Sequence, residues 1–211
     1  MTTTPDDIWT GVAAERTTLV ELLDSLAAPD WDHPSLCAGW RVRDVVAHVI
    51  LSSNPTVATL LPALVRARGN IDRLNRDTAI RHADRTSPRQ LSDELRAVIP
   101  ARVAAIGTNP TDRLMDVLVH IQDITLPLGL TREMSTDSAR LAIDRVLTSR
   151  WFRQVQRRFS EYRLVATDIE WAVGTGPVIE GRIADLLLLT TGRTARLSAL
   201  SGAGAALLDA R

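Results

Sequence analysis

The hydrophobic period of this chain changes once. From Ile8 to Phe159 apolar residues recur at helical spacing, and at Tyr162 the spacing drops to two. That switch restricts the fold to a mainly α arrangement: a helical bundle over residues 1–158, followed by a small C-terminal α/β domain over 159–211. Thr4-Pro5 opens a first helix that carries Ile8, Val12, Leu19, Leu22, Leu23 and Leu26 and ends at Ala27-Ala28-Pro29. Asp30 to Gly39 reads as a loop. A second helix starts near Trp40 with Val42, Val45, Val46, Val49 and Ile50, is kinked or restarted at Asn54-Pro55, and resumes through Leu64.

Arg66 to Arg85 is charged, with alternating signs and a weak helical pattern, which reads as a solvated face. Thr86-Ser87-Pro88 starts a third strongly patterned helix running to about Ile106, with Gly107 as its stop. Asn109-Pro110-Thr111 opens a fourth, through about Leu126, and Ser135 to Phe159 holds one or two more. Beyond Tyr162, Val165, Thr167, Ile169, Trp171 and Val173 alternate along one strand. Gly174 to Pro177 is a turn, and Val178 to Glu180 can pair back. Arg182 to Thr191 is an apolar helix ended by Gly192, and Ser201 to Arg211 a last short one.

Within this frame, His48 on the second helix and Asp116 with His120 on the fourth carry the chemistry. A helix turns roughly 100° per residue, so Asp116 and His120 lie about 40° apart on one flank of an apolar stripe. That stripe is Leu114, Val117, Leu118, Ile121, Ile124 and Thr125. The second helix repeats the layout, with His48 flanking Val42, Val45, Val46 and Val49 and with Asp44 beside it. If the flanks face each other, His48, Asp116 and His120 converge as three metal ligands. A fourth zinc position then stays open, the arrangement of a catalytic site. Asp44 and Asp123 are placed to accept from the imidazole N–H groups and fix the rings. From spacing alone, an acid and a histidine at i, i+4 also read as an ordinary helix-surface pair. Cys37 is a candidate thiolate ligand or nucleophile, but it precedes the helix in a loop and reads first as a small half-buried residue. His33 and His82 read as solvated, and Trp9, Trp31, Trp40 and Trp171 as core or lid residues.

Charge and composition exclude other classes. Lys and Arg together number 25, balanced by 25 Asp and Glu, and every basic residue is arginine. A formal net charge of zero argues against nucleic acid and against a polybasic membrane anchor. The single cysteine excludes an intrachain disulfide and fits a reducing compartment. Met1 to Trp9 lacks the basic and apolar regions of a signal peptide. The runs Val45–Leu51 and Ile183–Leu189 are too short to span a bilayer. The expectation is a cytoplasmic protein, monomeric or homodimeric, with no nucleic-acid or membrane partner.

The run PSLCAGWRVRDVVAH, Pro34 to His48, resembles the start of the second helix in the mycothiol-dependent maleylpyruvate isomerase family of DinB-like metal-binding bundles. DVLVHIQDITLPLG, Asp116 to Gly129, resembles its second signature, and GRIADLLLLTTGR, Gly181 to Arg193, the helix of its small C-terminal domain. The resemblance implies a DinB-like four-helix bundle holding one divalent metal, usually zinc, through His48, Asp116 and His120. It also implies mycothiol, a sugar–cysteine thiol of actinobacteria, at the open metal position. That thiol would attack a small electrophile, as an S-transferase or as a cis–trans isomerase of the maleylpyruvate type. Arginines near the thiol cofactor are implied as well. Arg193 is the first assignment, for cofactor and catalysis, and Arg81 the second. The family's usual acid is glutamate, and this chain carries the shorter Asp116. A metal-dependent hydrolase on the same bundle and a non-catalytic metal-binding or regulatory module are the alternatives.

Overall fold

The computed structural model describes residues 3–54, 68–104 and 107–209. It is mainly helical with one small sheet, as the period switch predicts. Contacts group the chain into two compact units, Met1–Arg132 and Glu133–Arg211. The division thus falls before the helices of 136–159, because Thr136–Thr148 packs chiefly on the C-terminal helix Ile183–Thr190.

The first unit contains α1 (Pro5–Ser25), α2 (Val42–Ser53), α3 (Ile71–Ala83), α4 (Pro88–Ala97) and α5 (Pro110–Thr125). Each strongly patterned start signal is used. Thr4 caps α1, Ser87 caps α4 and Asn109 caps α5, each in a reciprocal capping box with proline in the first turn. The weak charged segment also becomes a helix, α3, capped by the Asn70 side chain, and it packs along α2. The core joins Leu19 and Leu23 of α1, Val42 to Ile50 of α2, Leu91 and Leu95 of α4, and Val117, Ile121 and Ile124 of α5. The expected continuation of α2 through Leu64 lies outside the described residues.

Helix α4 ends at Ala97, well short of the expected Ile106. Pro100 has no N–H to donate and pushes Ile99 out of the helical region. The carbonyls freed there are taken by a buried cation from another helix. Arg16 Nη1 of α1 donates to the carbonyls of Val98, Ile99 and Ala101 at 2.9, 3.3 and 2.8 Å. Leu91 is fully buried in this core. Leu91→Ala should therefore cost about 3 kcal/mol, within the range for cavity-forming substitutions. The check is the urea midpoint of the metal-free protein at unchanged m-value.

The second unit contains α6 (Thr136–Thr148), α7 (Arg153–Phe159), β1 (Arg163–Ala166), β2 (Ala172–Gly174), β3 (Val178–Gly181), α8 (Ile183–Thr190) and α9 (Ala203–Asp209). The single strand expected from Tyr162 to Val173 is instead two. Ala166 N–H donates to the Trp171 carbonyl, which closes a turn, and β2 returns antiparallel to β1. The break has a use: Asp168 Oδ1 accepts the backbone N–H of Ile183 at 2.9 Å and so caps the start of α8. β3 pairs with β1, and in parallel, giving the order β2-β1-β3. Gly174 and Gly176 have φ of 82° and 115°, and a β-carbon at either would collide with the carbonyl of Tyr162 or Glu161. Among the described residues no helix is long and apolar enough to cross a membrane.

Candidate metal centre

Helices α2 and α5 deliver the site, and both lie in the first unit. On α5 the apolar stripe is buried, which leaves Asp116 and His120 on its flank. On α2 the valines are buried and His48 flanks them. The two flanks meet. Asp116 Oδ1 lies 3.5 Å from His48 Nε2 and 3.5 Å from His120 Nε2. One ligand atom from each of the three residues falls within a common 4.8 Å. The imidazoles stand edge to face, with centroids 4.9 Å apart. The side chains keep 14%, 19% and 11% exposure for His48, Asp116 and His120, so the cluster is shielded yet reachable.

This donor set fits a zinc-like ion. Ligands at about 2.1 Å in a tetrahedron are separated from one another by about 3.4 Å. The carboxylate already stands at that separation from both imidazole nitrogens. The shorter Asp116 therefore still converges with the histidines.

The surrounding groups fix the rings. Asp123 is completely buried, and its Oδ2 accepts from His120 Nδ1 at 2.9 Å, which leaves Nε2 turned toward Asp116. Asp44 does not serve His48 in the same way. Its carboxylate accepts from the Arg41 backbone N–H at 2.8 Å and from the Arg41 guanidinium at 3.0 and 2.8 Å, which locks the start of α2. Trp40 lies over the site, its ring 5.4 Å from that of His48 and 6.3 Å from that of His120.

Cys37 is the residue that sequence reasoning undervalued. Its Sγ is 3.1 Å from Asp123 Oδ2 and 3.8 Å from His120 Nδ1. Only its place eleven residues before His48, in a loop starting a ligand-bearing helix, signalled this.

Electrostatics follow from these contacts. Burial alone would lower the His120 pKa, but hydrogen bonds to Asp116, Asp123 and Cys37 outweigh it and hold the imidazolium well above its ordinary range. Burial would raise Asp116, but its bonds to His120 and His48 hold it well below the usual carboxylate range. Arg113, one turn before Asp116, places Nη1 3.7 Å from Asp116 Oδ2. Arg16 is pushed down to about 10, first by burial and then by the nearby Arg113 charge, against the pull of Asp116. The carboxylate therefore sits beside positive charge on more than one side.

The group of potential ligands does not include the other predicted residues. Arg81 is on α3, partly buried. Arg193 follows α8 in the second unit, and its Nη1 donates to the Thr191 carbonyl at 2.7 Å. His33 is exposed as expected, whereas His82 is half-buried and pairs with Glu94 Oε2 at 2.6 Å. Trp31 is core, and Trp171 donates from Nε1 to Asp144 at 2.8 Å.

Comparison with known proteins bears on the family and the fold. The profile of the mycothiol maleylpyruvate isomerase N-terminal domain matches residues 12–125, from within α1 to the end of α5. A crystal structure described as the mycothiol-dependent maleylpyruvate isomerase superposes with a TM-score of 0.64 at 14% identity, covering 97% of each chain. A histidine-to-alanine mutant of a protein with the same description gives 0.62 at 12% identity, again with 97% of each chain covered. At those identities the superpositions establish the fold. No curated protein matches by sequence. Because the profile spans more than half of the chain, the chain belongs to the mycothiol maleylpyruvate isomerase N-terminal domain family.

Proposed function

We infer that this chain is a metal- and thiol-dependent enzyme that activates mycothiol for attack on a small electrophile, by S-transfer or by cis–trans isomerisation of the maleylpyruvate type. The observation that carries the reading is the convergence of His48 Nε2, Asp116 Oδ1 and His120 Nε2 from two facing helices within 4.8 Å, with the carboxylate 3.5 Å from each imidazole nitrogen. When bound by these residues, zinc would lower the pKa of a thiol at the remaining position and keep it as thiolate.

The residues around it have separable tasks. His48 and His120 supply neutral nitrogen donors, and Asp116 supplies one negative charge. Asp123 holds the Nδ1–H tautomer of His120. Trp40 covers the imidazoles with an apolar ring, which limits water beside the thiolate. Arg193 first, and Arg81 second, are assigned to the thiol cofactor, on the family resemblance that places arginines there.

Turnover is expected to need both zinc and an added low-molecular-weight thiol. Electrophiles should be screened with mycothiol, with and without zinc, on protein purified without a chelator. Loss of turnover when either is omitted supports the reading. Thiol-independent hydrolysis of an ester or amide would replace it with the hydrolase, and a wild type that takes up no metal would leave a binding module. Arg193→Ala should raise KM for the thiol by about tenfold while kcat for saturated enzyme changes less.

A further inference from the structure

We propose that Cys37 is a positioning residue for the metal centre, acting on His120 through Asp123. This rests on the metal-site reading above. The Asp123 carboxylate is wholly buried, and two donors converge on one of its oxygens: His120 Nδ1 at 2.9 Å and Cys37 Sγ at 3.1 Å. A buried carboxylate is fixed only as well as its donors fix it. The thiol comes from outside α5, from the loop that starts α2.

That loop is itself rigid. Leu36 N–H donates to the Asp123 carbonyl at 3.0 Å, so one residue of α5 is held at backbone and side chain by consecutive loop residues. Ser35 N–H donates to the Trp40 carbonyl at 2.9 Å, Trp40 N–H to the Cys37 carbonyl at 2.9 Å, and Val42 N–H to the His33 carbonyl at 3.0 Å. The same turn thus places Trp40 over the imidazoles, starts the helix of His48, and presents the thiol to the partner of His120. Cys37 ties the orientation of one ligand to the helix that carries another.

Cys37, His120 and Asp123 also form a group of potential ligands in their own right. The separations favour a hydrogen-bonded cluster over a second ion. Distances of 2.9 and 3.1 Å are those of hydrogen bonds, below the roughly 3.4 Å between ligands of one zinc. The cluster holds protons, and its role is to leave Nε2 of His120 free and aimed.

The test compares wild type, Cys37→Ala and Cys37→Ser by chelator competition for zinc. It is joined by 15N NMR of the His120 ring in metal-free protein, above the pH at which the imidazolium titrates. Cys37→Ala is expected to weaken zinc binding by about tenfold, the lower end for loss of an outer partner, and to shift the ring from one tautomer toward a mixture. Cys37→Ser, which keeps a donor, is expected to recover most of both. The metal-free thermal midpoint should move by only a few degrees, so a loss of affinity and a change of tautomer are not explained by unfolding. Unchanged affinity and unchanged 15N shifts in Cys37→Ala would overturn the proposal. So would a thiolate-to-cobalt charge-transfer band in cobalt-substituted wild type that Cys37→Ala loses, since Cys37 would then be a ligand. If wild type binds no zinc, the metal-site reading fails, and the NMR comparison still decides the role of Cys37.

Discussion

His48→Ala and His120→Ala should each lose zinc, with different consequences for the metal-free protein. A tight zinc site binds with about 10–16 kcal/mol shared among its ligands, so one imidazole carries on the order of 3 kcal/mol, and its removal should weaken binding at least 100-fold. In His48→Ala the change stops there. His48 flanks the core without filling it, and its contact with Asp116 is long, at 3.5 Å. Helical content and thermal midpoint should stay close to wild type. In His120→Ala the buried Asp123 loses the donor 2.9 Å away. Removing one member of a buried, hydrogen-bonded charge pair costs about 3 kcal/mol, so the metal-free variant should stay helical but melt several degrees lower. Metal content by mass spectrometry and thermal melts, both on tag-free protein, check the two halves separately. Full zinc occupancy in either variant would overturn the ligand set.

Local patterns made much of this legible in advance. Asn109-Pro110 marked the start of α5, and the stripe from Leu114 to Ile124 fixed which way it faces. Once that face is buried, the positions of Asp116 and His120 follow from helix geometry alone, as does that of His48 on α2. What could not be read locally were bonds between distant segments. Arg16 takes the carbonyls just beyond α4, more than eighty residues away, and no periodicity announces that. Cys37 reaches Asp123 across 86 positions. Asp44 was expected to serve His48 one turn further along, but it is taken by Arg41, whose guanidinium is charged and whose backbone N–H lies at the start of the same helix. In the sheet, alternation from Val165 to Val173 was real in the residues, but the capping of α8 by Asp168 required a bend in the middle. Periodicity reports which face is buried; it does not report which polar group a partner far along the chain will claim.

Zinc affinity should fall steeply on acidification, and the sign follows from the two shifted groups. In the metal-free protein His120 holds its proton well above the ordinary imidazole range, so its contribution to stability is complete below about pH 6.5 and is lost as pH rises through the raised value. Asp116 is held low, so its contribution is complete above about pH 4 and is lost as pH falls through the lowered value. The metal-free fold therefore gains most from this cluster between about pH 4 and 6.5 and weakens toward alkaline pH. Zinc has the opposite dependence, because it needs the lone pair on His120 Nε2 and must expel a proton to obtain it. Below the pKa of His120, affinity should drop about tenfold per pH unit for each proton displaced, and it should level off above that pKa. At zinc concentrations about 100-fold over Kd the loaded protein gains about 2.7 kcal/mol. The gap between loaded and metal-free melting temperatures should therefore widen with rising pH and close in acid. Calorimetric zinc titrations in two buffers of different ionisation enthalpy count the proton directly. Release of about one proton per zinc near neutral pH is expected; none, with affinity flat across the range, would mean that the metal does not take the nitrogen that Asp116 now faces.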